Sequence, residues 1–149
     1  MKYTCEITIN RPKNEVGKLF GDPENMKFWQ KGFQSKEVLS GDAGKVGAKT
    51  KLKYELGKRS LTMIETITHR NPPEEFHGIY ETKGVRNLQK NFFKEEDGST
   101  KWISESEFNC SGFMKVMAFF MGKSAFKKQS KVYMEDFKSF AEGNPKYGG

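Results

Sequence analysis

Cysteine and histidine are scarce in this chain, with two of each in 149 residues. Cys5 and Cys110 have no Cys-x-x-Cys partner and no histidine at ligand spacing, which argues against a zinc site. His69 and His77 flank Pro72-Pro73 without a second ligand pair, so neither a metal nor another cofactor is expected. Isolated thiols of this kind suit a reducing compartment. No run reaches the length of a bilayer-spanning helix, and the opening residues lack the apolar stretch of a signal peptide. A cytoplasmic location is the expectation. Ile and Val are few beside thirteen Phe, so the interior is expected to be built from large flat rings. Such rings pack with gaps more readily than aliphatic side chains, which leaves room for a ligand.

Charge is plentiful. Charged residues make up 30% of the chain and the net charge is +7. The lysines of the first half (Lys45, Lys49, Lys51, Lys53, Lys58) alternate with apolar residues, as on a solvated strand face. No aromatic side chains are interleaved with a compact basic patch, so nucleic acid is not an expected partner.

The layout carries most of the information. Lys2 to Ile9 alternates, with Tyr3, Cys5, Ile7 and Ile9 on one face. Pro12 opens a short amphipathic helix, and Asp22 before Pro23 is an N-cap candidate for a second short helix carrying Met26, Phe28 and Trp29. Six strands follow: Phe33 to Leu39, Ala48 to Leu56, a run through Leu61, Met63, Glu65 and Ile67, then Phe76 to Thr82, Arg86 to Lys94, and Lys101 to Phe108. Glycine-containing turns join them, except where Asn71-Pro72-Pro73 breaks the pairing between the fourth and fifth strands of the chain. A long helix from about Phe113 to Glu142 closes the chain, with Val116, Phe119, Phe126, Tyr133, Phe137 and Phe140 in near-heptad register. Strands followed by one apolar helix give an α+β fold in which a curved sheet covers the helix, because neither layer can bury its own face alone. One domain over residues 1–143 and a flexible tail over 144–149 are expected.

The order strand, two short helices, six strands, long helix also resembles a known family, the START-like (SRPBCC) helix-grip superfamily in its polyketide cyclase/dehydrase and lipid-transport branch. The residues that carry the resemblance are Ile7-Thr8-Ile9 with Arg11-Pro12, Asp22 with Trp29, and the glycines 41, 44 and 47 after Leu39. Met63-x-Glu65-x-Ile67, and Gly98-x-Thr100-x-Trp102 ahead of Phe108, complete it. The resemblance covers residues 2 to 142. It implies a seven-stranded antiparallel sheet gripping the C-terminal helix, two short helices between strands 1 and 2, and an apolar cavity between sheet and helix. It leaves function open, since such folds serve as ligand carriers, cyclases and co-chaperone domains.

Strand parity nominates the cavity wall. Leu52 and Tyr54 share a face on strand three, as do Met63 and Glu65 on strand four, and Trp102 and Ser104 on strand seven. From the helical segments come Trp29, Phe119, Phe126 and Tyr133, with Phe33 at the hinge into the sheet. Glu65 would bring a carboxylate into an apolar chamber, as a polar anchor, a general acid or base, or a structural carboxylate bonded to its neighbours. Asn87, Gln89 and Asn91 alternate on strand six, but adjacent Phe92 and Phe93 leave open which face of residues 86–94 points inward. The stretch Gly112 to Gly122 is apolar nearly all round; it reads either as a lid hinged at its glycines or as the buried start of the core helix. It is too short to span a bilayer and long enough to touch one. The leading expectation is binding, or transport, of a small hydrophobic ligand such as a lipid, quinone or polyketide-like aromatic metabolite. A cyclase/dehydrase-type enzyme and a co-chaperone-like domain with a protein partner are the alternatives.

Overall fold

The computed structural model describes residues 1–148. Alternating side chains place strands at Lys2–Ile9 (β1), Phe33–Ser40 (β2), Lys49–Leu56 (β3), Arg59–Asn71 (β4), Glu75–Thr82 (β5), Val85–Glu96 (β6) and Ser99–Cys110 (β7). They form one antiparallel sheet in the order β1-β7-β6-β5-β4-β3-β2. Strands β1 and β2 are neighbours in sequence yet lie at opposite edges. The chain between them must therefore cross the sheet, and it does so as helix α1 (Lys13–Gly21), a 3-10 turn (Pro23–Asn25) and helix α2 (Met26–Trp29). The Asp22 side chain accepts the Glu24 amide at 2.9 Å and caps that turn, as its position before proline suggests.

Cross-strand pairing sets the inner face. Thr50 pairs with Glu65, Glu65 with Tyr80, Tyr80 with Asn87, and Asn87 with Phe108. A parallel row runs Phe76, Asn91, Ser104, Cys5. Asn87 and Asn91 are buried, so the amides of β6 face inward together with Phe93, and Phe92 faces away. This settles the parity that the sequence left open.

Helix α3 (Phe113–Ala141) lies against β1, β7 and α2. Tyr3 bonds the Ser130 hydroxyl at 2.6 Å, and the Lys138 ammonium donates to the Thr8 carbonyl at 2.6 Å, fastening the helix to the β1 edge. Its C-terminal half buries Met134, Phe137 and Ala141. Its N-terminal part departs from expectation. The backbone leaves helical geometry at Gly122 (φ 78°, ψ 163°), which breaks the heptad register. Upstream of that break Phe119 is 82% exposed and Val116 is half-exposed, so the stripe reaches the core only downstream of it, through Phe126, Tyr133, Phe137 and Phe140.

Beyond Ala141 the chain turns back on the helix. Tyr147 donates to the buried Asp136 carboxylate at 2.8 Å, and the Lys146 ammonium lies 2.9 Å from its other oxygen. No helix among the described residues is long and apolar enough to cross a membrane.

Close backbone approach fixes α1 on the β4–β5 turn. A Cβ at Gly17 would sit 2.3 Å from the Pro73 Cβ and 2.8 Å from its Cα. Gly17→Ala is expected to destabilise the protein by about 1–3 kcal/mol through overpacking, read as a lower urea midpoint at unchanged slope.

Candidate functional site

Because α3 leans on the β1 edge, the inner surface of β3, β4 and β5 is left for a cavity of about 230 Å³. Its floor is the row Thr50, Glu65 and Tyr80 with Leu52 and Ile67 beside it, and its far wall is Tyr133 of α3. The crossover closes one side through Phe20, Met26 and Trp29. Exposed residues of the rim (Pro23, Lys36, Val38, Ala43, Gly44) place its mouth between the 3-10 turn and the β2–β3 connection. Lys36 and Glu24 form an ion pair across that mouth at 2.8 Å, and this hydrogen bond to lysine holds the Glu24 carboxyl below its ordinary range.

The polar groups inside are few and mutually arranged. Tyr80 donates its hydroxyl to Glu65 Oε2 at 2.9 Å. Burial pushes the Glu65 carboxyl above its ordinary value, against the Tyr80 hydrogen bond and the Arg70 charge, which both pull it down. Burial likewise raises Tyr80 and Tyr133 well above the phenolic range, and Glu65 and the neighbouring phenols add to the shift. Both hydroxyls therefore stay protonated. Tyr54, raised first by burial, donates to Gln30 Oε1 at 2.6 Å and so orients a glutamine that lines the cavity. The Trp29 indole N–H is buried and has no partner among the described residues. A buried donor left unpaired costs about 1–3 kcal/mol.

The nominated residues divide into groups. Trp29, Leu52, Glu65 and Tyr133 line this cavity together. Tyr54 and Phe33 stand just behind it, their rings 5.8 Å apart, and Met63 is half-buried on the same strand face as Glu65. Trp102 and Ser104 are buried outside the lining: Trp102 donates to Asn91 Oδ1 at 3.0 Å and packs on Phe137, and Ser104 pairs with Cys5 and Asn91 on the neighbouring strands. Phe126 packs at a tilt against Phe108, 4.9 Å between ring centres, near the β1 edge, and Phe119 points to solvent. The cavity also recruits residues that the strand parity reading did not name, chiefly Tyr80, Gln30 and Arg70. Tyr80 was accessible as the cross-strand partner of Glu65. Arg70 was not, because a register shift between Ile67 and His69 reverses the alternation that would have placed it on the other face.

Among the described residues one cluster has the makings of a metal site: His69, Glu75 and His77, whose ligand atoms lie within 4.8 Å of one another. Glu75 Oε2 sits 3.0 Å from His69 Nε2 and 3.1 Å from His77 Nε2. The second ring nitrogen of His77 accepts the Asn91 amide at 3.2 Å. A neutral His77 so engaged carries its hydrogen on Nε2, aimed at Glu75, and offers no lone pair there to a metal. The cluster is a hydrogen-bonded clasp across β4 and β5.

No family model matches the sequence, and no curated protein is similar to it. Solved structures match it over nearly its whole length. A conserved protein from Geobacillus kaustophilus superposes with a TM-score of 0.78 at 15% identity, covering 95% of each chain. Ara h 8.0201 gives 0.73 at 16% identity over 97% of this chain and 99% of its own. The major latex-like protein 151 of Panax ginseng gives 0.72 at 11% identity over 95% and 97%. Identities this low speak to architecture alone, and the architecture is unambiguous: this chain has the helix-grip fold, a seven-stranded antiparallel sheet closed on one long helix.

Proposed function

We propose that the protein binds a compact, mostly apolar molecule bearing one or two hydrogen-bonding groups. The observation that carries this reading is the cavity itself, whose apolar wall surrounds Glu65 and Tyr80. Burial against Phe20, Leu52, Ile67 and Phe76 supplies affinity at roughly 25 cal/mol per Å² of apolar area. The polar groups then fix orientation. Below its raised value the Glu65 carboxyl keeps its proton and donates a hydrogen bond to a ligand oxygen. At about 230 Å³ the space suits a single- or two-ring metabolite, a quinone head or a short acyl chain better than a full phospholipid. The resemblance to the lipid-transport and polyketide branch of the START-like superfamily supports the same ligand class.

Native mass spectrometry of the purified protein tests the reading directly. A bound mass in the metabolite range is expected, and its loss in a cavity-filled variant assigns it to this site. Thr50→Phe places a ring beside Glu65. Denying a ligand even about 60 Å² of apolar burial costs about 1.5 kcal/mol, or about tenfold in affinity. Binding of the uncharged fluorophore N-phenyl-1-naphthylamine should weaken by at least that factor while the melting temperature holds. Unchanged dye binding in the folded variant would place the binding elsewhere.

A second reading rests on the same carboxyl. A carboxyl that burial makes slower to give up its proton, hydrogen-bonded to a phenol in a mostly apolar cavity, is also what a cyclase-type general acid requires. Incubation of a co-purified ligand with the protein separates the two: a change in ligand mass or retention that Glu65→Gln abolishes marks an enzyme, and an unchanged ligand marks a carrier.

A further inference from the structure

We infer that the N-terminal part of α3 docks the protein on an anionic lipid surface. Between Ser111 and Met134 the sequence holds five lysines and no acidic residue, so this stretch alone accounts for five of the chain's net charge of +7. The same stretch carries the most exposed aromatic side chains of the molecule. Phe119 is 82% exposed, Phe120 78% and Phe113 73%, with Val116 and Met121 also open to solvent. Phe113, Val116 and Phe120 follow one another at i, i+3 and i+7 and form a continuous ridge. Between Gly112 and Gly122 only Ala118 is buried against the body of the protein. Large exposed apolar patches on a soluble domain mark an interaction surface.

Charge decides what covers it. Lys115, Lys123, Lys127 and Lys128 make no ion pair with any acidic side chain among the described residues, unlike Lys13, Lys36, Lys51 and Lys138 elsewhere. An isologous dimer through this ridge would bring two acid-free lysine sets together, which repels. A layer of anionic headgroups over acyl chains complements both features, with phenyl rings entering the hydrocarbon boundary and ammonium groups lying at the phosphates. The backbone is built for such insertion. Gly112 (φ 58°) and Gly122 (φ 78°) bracket the segment in conformations that side-chain-bearing residues rarely adopt, and a Cβ at either would meet nothing within 4 Å. These glycines are required by the turns they make, not by close packing, so the segment is articulated at both ends. No residue from Gly112 to Lys128 lines the cavity, and this surface does not depend on what the cavity holds.

Co-sedimentation with vesicles tests the proposal. The protein should pellet with vesicles of an equal mixture of phosphatidylcholine and phosphatidylglycerol, stay in solution with phosphatidylcholine alone, and release as salt is raised. Phe119→Ser combined with Phe120→Ser should abolish pelleting. Lys123→Gln, Lys127→Gln and Lys128→Gln should each weaken it about fivefold. All of these positions are exposed, so melting temperatures should stay at the parent value and report intact folding. Failure of the parent protein to pellet with the mixed vesicles overturns the proposal. Equal binding to both vesicle types, or binding indifferent to the phenylalanine pair, does so too. So does a concentration-dependent dimer in sedimentation velocity that the phenylalanine pair dissolves, since it would assign the ridge to a second copy of the chain.

Discussion

Phe137→Ala should lower the unfolding free energy by about 3–5 kcal/mol, the range for truncating a fully buried phenylalanine where the surroundings relax incompletely. Phe137 has no exposed surface. Its ring lies 4.9 Å from Trp29, 5.4 Å from Trp102 and 5.4 Å from Phe20, each contact edge-on. These neighbours are held from other directions as well, Trp102 by its hydrogen bond to Asn91 and Phe20 by Phe76 and Phe93, so they cannot collapse into the space. The hole would open where the helix, the crossover and the sheet meet. The matched control is Phe119→Ala on the same helix, where an exposed ring should change stability by less than about 0.5 kcal/mol. Urea titrations of the two variants, compared at constant slope, measure the contrast; equal effects would mean that the helix break at Gly122 is wrongly placed.

That contrast also shows what the sequence could and could not convey. Alternation read the inner faces of β3, β4 and β7 correctly, because one face of each strand is buried and a period of two survives wherever pairing is regular. Glu65 and its neighbours Leu52 and Thr50 emerged that way. Parity assigns a face, however, and not a position along the sheet. Trp102 and Ser104 share the concave surface with Glu65, yet the cavity misses them, because α3 crosses toward the β1 edge and covers that end. Local backbone events are a second source of error. The register shift after Ile67 turns Arg70 into the cavity, and a left-handed Gly122 detaches Phe119 from a heptad pattern that looks continuous on paper. A third is folding at a distance. His69 and His77 lie on opposite sides of Pro72-Pro73 in sequence and meet around Glu75 only when β4 and β5 pair.

Glu65→Gln should stabilise the protein near neutral pH and flatten its stability across the acid range. In the folded state burial raises the Glu65 carboxyl above its ordinary value. The native state therefore holds this proton more tightly than the unfolded chain does. Stability from this group is fully present below the unfolded value of about 4.3, falls as pH rises, and has been lost once pH passes the raised folded value. At neutral pH the native state carries a poorly solvated carboxylate, with the Tyr80 hydroxyl and Arg70 offsetting only part of the burial. Glutamine removes the charge, keeps a carbonyl to accept from Tyr80 and has nothing to titrate. The ligand should report the same proton. A molecule that accepts a hydrogen bond from protonated Glu65 should bind more weakly as pH rises through the folded value, whereas the glutamine variant should bind with no such slope. Carboxyl NMR of the free protein, paired with dye-binding titrations from the acid range to neutral pH, checks both. A Glu65 that titrates below its ordinary value, with a glutamine variant less stable than the parent, would show instead that its hydrogen bond and Arg70 outweigh burial and that the cavity holds a permanent anion.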